Sequence, residues 1–371
     1  MTDRLAIFFL MTLVSISASH CHTPAPPAQL HWLPAAALPA DSNGKAHAGL
    51  AGAVSGMVGK SYIIAGGANF PEAMPWEGGK KQYHADIHVF GQQADGKLQY
   101  VGIQGSLPIP LAYPAIAQGN DEILVAGGET INGFSNECYK ILYGPGTSLL
   151  LKQMLPPLPV ATAYASSYLF ENVWMVAGGE TKEGTTDKVW KLDLHHPEEG
   201  WQAAPSLPQA LAFATMAALT HPKGKTEWRI AGGRCRVPGS ISMIYNDVYV
   251  LAHGSDAWQK ADTLPYAMSA MSSTVLPDGT WVIFSGDRGQ TFSKVERMIL
   301  DIDMATDDTA KQQLIDAKAA LQSAHPGFST DVWSWRRTSA NWIPLNSIPL
   351  PPPVTTHAVY SNGNIYIGSG E

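Results

Sequence analysis

A chain of 371 residues exceeds what one ordinary compact core organises, so it holds either two or three domains or one repeat architecture with shared cores. With 45% apolar residues it can bury a large core, and its 35 glycines and 27 prolines are too many for a mainly helical protein. Lys plus Arg number 24 against 31 Asp plus Glu, and the net charge of −7 argues against a nucleic-acid partner or an anionic membrane held by bulk charge; an anionic ligand would need a local positive site.

In chain order, residues 1–21 read as an export signal: Arg4 precedes an apolar or small run from Leu5 to Ala18, followed by Ser19-His20-Cys21. Cys21 stands where a bacterial lipoprotein carries its acylated cysteine, and residues 22–28 form a Pro-rich tether. Lipid anchoring and plain secretion to a periplasm-like compartment both fit, so the only membrane contact expected is an N-terminal lipid. The body, 29–371, reads as a single unit. No CxxC or zinc spacing is present, no metal is expected, and Cys138 and Cys235 are expected to be free thiols.

From residue 61 onward an apolar run ending in two small residues recurs, closing at Gly67, Gly128, Gly179, Gly233, Gly286 and Gly370. This spacing, near 50 residues except for the last interval, is that of Kelch propeller blades. Each run is expected to be the second strand of a blade. A third strand follows with an acidic start (Asp86–Phe90, Asp187–Asp193, Asn246–Leu251), then a fourth with an aromatic residue and a Leu-Pro turn (Trp201, Trp258, Trp342). The expectation is an all-β, six-bladed Kelch-type β-propeller. Its opening segment Gln29–Pro39 would be a fourth strand and its closing segment Asn364–Glu371 a second strand of the same blade, so the propeller reads as circularly permuted. A third strand would then follow Glu371, where the sequence stops. The long interval in the fifth repeat predicts one helix over Ala310–Ser323, capped from Thr306-Asp-Asp-Thr and placed as a lid.

The residue after each glycine pair occupies an equivalent place in its blade. Ala68, Glu129, Glu180, Arg234, Asp287 and Glu371 are therefore expected to ring the axial funnel, with Asn69 and Arg288 one step further on. So many charges around a confined space favour a polar ligand site; singly, each could instead cap a strand end. Trp76, on the long loop from Asn69 to Lys81, could stack on a sugar or pack the loop.

The segment Gly66–Phe90, with Ala126-Gly-Gly-Glu-Thr130, the Asn246-Asp-Val-Tyr strand and the closing Gly-Ser-Gly-Glu371, resembles the cyclically permuted mutarotase family of Kelch propellers, similar to bacterial N-acetylneuraminate epimerases. The resemblance implies exchange of the α and β anomers of a nine-carbon 2-keto sugar acid, N-acetylneuraminate, with no cofactor. It implies Glu371 as the catalytic acid/base, with an Arg a few residues later. That Arg has no counterpart here, so either the sequence is a piece of a longer chain, the favoured reading, or Arg234, Arg236 or Arg288 supplies the cation. A non-catalytic Kelch propeller binding carbohydrate or protein is the alternative. A copper radical oxidase is disfavoured, because His195-His196 is the one adjacent histidine pair and lies in a turn.

Overall fold

The computed structural model describes residues 29–40, 44–143, 150–220, 224–339 and 341–370. The export segment, Cys21 and Glu371 lie outside the described residues. The chain folds as an all-β propeller of five four-stranded antiparallel sheets. In chain order the sheets are Val54–Val58, Ser61–Ala65, Asp86–Gln92, Leu98–Ser106; Ala115–Gln118, Glu122–Ala126, Cys138–Tyr143, Leu150–Leu155; Ser166–Phe170, Val173–Ala177, Val189–Asp193, Gln202–Ala204; Thr215–Thr220, Thr226–Ala231, Asp247–Ala252, Gln259–Thr263; and Ser272–Val275, Trp281–Phe284, Val332–Trp335, Trp342–Pro344. The second strands are near-continuous buried apolar runs, as expected of strands covered on both faces by neighbouring sheets.

Packing is between adjacent sheets. Val54, Ile63, Ile87, Ile123 and Ile141 join the first and second sheets. Trp281, Ile283 and Met268 meet Ala217 and Val248 between the fifth and fourth. A further two-stranded sheet, Ala358–Ser361 with Asn364–Ile367, packs Ala358 against the fifth sheet and Val359 and Tyr366 against the first.

The expected fourth strand over Gln29–Pro39 is a correction: this segment carries no strand. Leu30 and Trp32 instead pack, as do Ile365 and Ile367, against the buried cluster that holds Phe284, and Asn346 grips Leu30 through both main-chain groups, at 2.7 Å each. Among the described residues no third strand lies beside Asn364–Ile367, so the segment has no ladder to join and is held by side chains. Four-stranded blades therefore number five among the described residues; the expected sixth blade, which the sequence already left without its third strand, is not among them.

The glycine pairs have a backbone reason. The second glycine donates to a carbonyl of the next repeat: Gly67 to Leu111, Gly128 to Thr162, Gly179 to Leu211 and Gly233 to Met268, at 2.7–2.8 Å. That approach leaves no room on the first. A Cβ on Gly127 or Gly178 would come within 2.1 Å of the same Thr162 or Leu211 carbonyl oxygen, and both glycines have left-handed φ.

Around the axis, six residues close a circle of main-chain hydrogen bonds. Tyr113 donates to Gly52, Tyr164 to Tyr113, Phe213 to Tyr164, Ala270 to Phe213, Thr355 to Ala270 and Gly52 to Thr355, at 2.7–3.3 Å. All six have φ between 54° and 61°. Left-handed backbone costs a non-glycine residue roughly 1–2 kcal/mol; here every member gives and receives one ring bond, which offsets that cost.

The circle borders an axial channel on one side and the mouth of the propeller on the other. The channel has a volume of about 120 Å³ and is lined by Ser166, Thr215, Ser272, Thr356 and His357. His357 Nδ1 is sequestered there with no hydrogen-bond partner among the described residues, and burial pulls its imidazole pKa down to about 4. The folded-state pKa lies below the unfolded value of 6.5. Between about pH 6.5 and 4 the unfolded chain therefore binds the extra proton, and stability falls as pH falls through that window. His357→Gln is expected to lose less melting temperature between pH 7 and pH 4.5 than the parent chain, as measured by calorimetry.

After each of the first four glycine pairs a two-residue ribbon projects at the mouth. In the fifth repeat two helices take its place: α1 (Gln290–Met304) and α2 (Asp308–Ser323). α2 is the helix expected from the sequence, with Asp307 as its cap accepting from Ala310 N at 2.8 Å. α1 is an addition to that expectation. It starts from a left-handed Gly289 with no side-chain cap, so no N-terminal signal marks it.

Candidate functional site

The residues following the glycine pairs occupy equivalent places. Ala68, Glu129, Glu180, Arg234 and Asp287 each pair in a lone antiparallel bridge with Ala51, Ala112, Ala163, Ala212 and Ser269. The next residue in each case is Gly52, Tyr113, Tyr164, Phe213 or Ala270, a member of the axial circle. Strand geometry thus fixes the charged residues directly beside the axis.

The mouth holds a partly enclosed cavity of about 270 Å³. Its floor is Tyr113, Tyr164 and Phe213 with Ala270 and Thr355; Arg234 and Asp287 line it from the sides, and Phe292 of α1 and Phe328, beyond α2, from the insertion. The three floor rings form one cluster, Tyr164 stacked on Phe213 at 4.5 Å and Tyr113 tilted by 50° against Tyr164 at 4.8 Å. The lining is that of a small-molecule site: apolar rings with a few polar groups that fix orientation.

Arg234 is the cation of this cavity. Its guanidinium lies 4.5 Å from the Phe213 ring and 4.7 Å from the Phe292 ring. Glu180, 5% exposed, accepts from Nη2 at 3.4 Å, and Arg236 approaches the other Glu180 oxygen at 4.0 Å. Arg234 Nε is buried and has no hydrogen-bond partner among the described residues. A planar carboxylate entering the cavity would meet a positively charged guanidinium suited to it.

Glu129 is already engaged. Lys81, from the long loop of the first repeat, donates to its Oε2 at 2.6 Å, and the Tyr164 hydroxyl donates to the same oxygen at 2.6 Å. Burial alone would raise the Glu129 pKa, but the hydrogen bonds from Lys81 and Tyr164 outweigh it and hold the carboxyl below its usual range. Burial, then the Glu129 charge, pushes the Tyr164 phenol far up, so Tyr164 stays a neutral donor.

The remaining candidates are dispersed. Asp287 lines the cavity and accepts from Gly289 N at 2.7 Å, which fixes the start of the insertion. Arg288, one residue on, does not line it: its Nη2 is 2.5 Å from Asp331 Oδ2, its guanidinium covers Tyr266 at 3.7 Å, and Tyr266 also donates to Asp331. Asn69 donates to Gly49 O at 2.9 Å and holds His84 Nε2 at 2.9 Å. Trp76 sits in the short 3-10 turn Pro75–Glu77, which meets α2, so two insertions from different repeats touch at the mouth. Cys138 is buried and Cys235 half-buried, both unpaired among the described residues, and burial pushes the Cys138 thiol up to about 12.

Sequence reasoning missed the aromatic floor, although a signal exists. Leu50-Ala-Gly52, Leu111-Ala-Tyr113, Thr162-Ala-Tyr164 and Leu211-Ala-Phe213 repeat in phase with the glycine pairs.

Residues 20–149 match the family model for N-acetylneuraminate epimerase. Among curated proteins the chain is similar to an N-acetylneuraminate epimerase of Brucella melitensis, 27% identical over 227 residues, 60% of this chain and 57% of that protein. It is also similar to one of Yersinia pestis, 35% identical over 129 residues, 32% of this chain and 31% of that protein. One of Pasteurella multocida is 34% identical over 113 residues. The matched stretches thus span between about a third and a little over half of these relatives. The resemblance carried by Gly66–Phe90 and Ala126–Thr130 is borne out, both segments lying inside the matched region.

Proposed function

We propose, from the chain's similarity to the N-acetylneuraminate epimerases, that it is a carbohydrate isomerase exchanging the α and β anomers of N-acetylneuraminate in the cavity at the propeller mouth. The observation that carries the reading is Arg234: a cation packed against Phe213 and Phe292 in the lining of a cavity floored by Tyr113, Tyr164 and Phe213. A sugar acid combines the two chemistries that such a wall receives, a carboxylate for the guanidinium and C–H faces for the rings.

Anomer exchange needs a base for the proton of the anomeric hydroxyl, an acid for the ring oxygen as the ring opens, and room for the carbonyl to turn before closure. Arg234 holds the carboxylate, and this fixes the anomeric carbon, to which the carboxylate is attached, beside the wall. Asp287 stands in the same lining as a carboxylate able to take and return a proton. Glu371 is proposed as the principal acid/base on the family resemblance; its neighbour Gly370 packs against the carbonyl of Val354, a residue of the cavity lining. Nothing in this scheme calls for a cofactor.

The same reading includes a six-bladed ring, circularly permuted, with the sheet Ala358–Ile367 and the segment Gln29–Pro39 in its last blade. Support comes from the six-membered circle of main-chain bonds and from the packing of that sheet against both the fifth and first sheets.

Saturation-transfer NMR with N-acetylneuraminate and its methyl ester tests the binding half. Transfer to the acid, displaced by excess acid and much weaker for the ester, is expected. No transfer to the acid would overturn the reading.

A further inference from the structure

Arg234 lies on the ribbon Arg234–Cys235 paired with Met243–Ile244, and this ribbon is fastened to α1 at three places. Phe292 covers the guanidinium at 4.7 Å. One helical turn later, on the same face, Glu296 accepts from Ser242 through both oxygens, from N at 2.8 Å and from Oγ at 2.7 Å, and Ser242 is 5% exposed. At the start of the helix, Ile244 packs so closely on Gly289 that a Cβ there would come within 1.9 Å of its Cδ1. The helix comes from the fifth repeat and the ribbon from the fourth, so two repeats combine to hold one arginine.

We infer that α1 is a positioning element for Arg234, in which Phe292 fixes the plane of the guanidinium and the Glu296–Ser242 contact fixes Phe292. This goes beyond a lid: the helix decides which edge of Arg234 the ligand meets. The physical reason lies in the weakness of the alternative. Glu180 meets Arg234 at 3.4 Å through one nitrogen, which leaves the plane free to turn about that contact. Phe213 and Phe292, both packed against the guanidinium, restrict that freedom, and a guanidinium held in plane loses less entropy when a carboxylate docks edge-on. Phe292 and Glu296 touch no reacting atom; they act through Arg234. The ligand class, a carboxylate-bearing sugar, rests on the function proposed above, whereas the clamp itself does not.

Two measurements separate the clamp from that reading. In ¹H–¹⁵N spectra the Arg234 Nε–Hε signal is expected to be shifted by the two rings and to exchange slowly with water. Phe292→Leu should reduce the shift to the part due to Phe213 and speed the exchange, Phe292→Tyr should keep both, and Glu296→Ala should weaken both without changing the fold seen by circular dichroism. An Arg234 signal unmoved by Phe292→Leu in the folded variant overturns the inference. On the ligand side, the preference for N-acetylneuraminate over its methyl ester should fall about tenfold in Phe292→Leu and be restored in Phe292→Tyr; a preference unchanged in Phe292→Leu also overturns it. If the parent chain binds neither compound while the Arg234 signal behaves as stated, the sugar-acid reading fails and the clamp stands.

Discussion

Arg234→Lys is expected to raise the Kd for N-acetylneuraminate by about 10- to 100-fold while leaving the fold intact. Lysine keeps a positive charge opposite Glu180, so the buried carboxylate is not abandoned, but it loses the planar fork, including the Nε donor that has no partner among the described residues. A hydrogen bond to a charged group contributes about 1.5–3 kcal/mol, and each 1.4 kcal/mol is about a factor of ten in affinity. The methyl ester, which offers no carboxylate, should bind the variant and the parent alike. Isothermal titration of both ligands decides it, and an unchanged Kd for the acid would remove Arg234 from the site.

The second large effect is on the axial circle. Gly52→Val is expected to destabilise the protein by about 3 kcal/mol, a left-handed penalty of about 1–2 kcal/mol joined to overpacking of about 1–3 kcal/mol. A Cβ at Gly52 would come within 2.4 Å of the Tyr113 ring and 2.5 Å of Tyr113 N, and that amide donates the circle's bond to Gly52 O. Relief by movement would therefore break the circle. Ala270→Gly supplies the opposite sign at an equivalent position: it relaxes a φ of 58° and is expected to be neutral or slightly stabilising. Thermal unfolding of the pair measures both, and equal melting temperatures for Gly52→Val and the parent would show that the circle carries no stability.

Which parts were legible in the sequence follows from what each residue does locally. The glycine pairs were readable because their requirement is steric and repeats in the first four blades: a carbonyl of the next repeat occupies the space of a side chain on the first glycine, whereas in the fifth blade Ser285 takes that place with a φ of 58°. Equivalence of the following residues came with them, and Glu129, Glu180, Arg234 and Asp287 each sit in the same kind of lone bridge, next to a residue of the axial circle. Arg288 shows the limit of that argument. One residue further along, the chain has turned, and Asp331 and Tyr266, both distant in sequence, draw the side chain to the flank of the fifth sheet. α2 announced itself through the Asp307 cap, whereas α1 begins on a glycine with a polar first turn and is held by Glu296 and Phe292 against a ribbon some fifty residues earlier. Contacts of that kind leave no local pattern. The aromatic floor was hidden differently, since Tyr113, Tyr164 and Phe213 read as ordinary loop aromatics until the circle shows that they share one backbone position. The Gln29–Pro39 segment kept the Trp of a fourth strand without the ladder, because Trp32 finds its partner in Phe284 through side-chain packing at 6.1 Å rather than through main-chain bonds.

The proposed chemistry lies in one small volume, lined by Arg234, by the aromatic floor beside the axial circle and by the carboxylate of Asp287. Catalysis there is tested most directly by following freshly released α-N-acetylneuraminate by proton NMR as it converts to the β anomer, with and without the protein. The account predicts a conversion faster than the spontaneous one, proportional to protein concentration and slowed in Arg234→Lys. A rate equal to the spontaneous one at every protein concentration would contradict it.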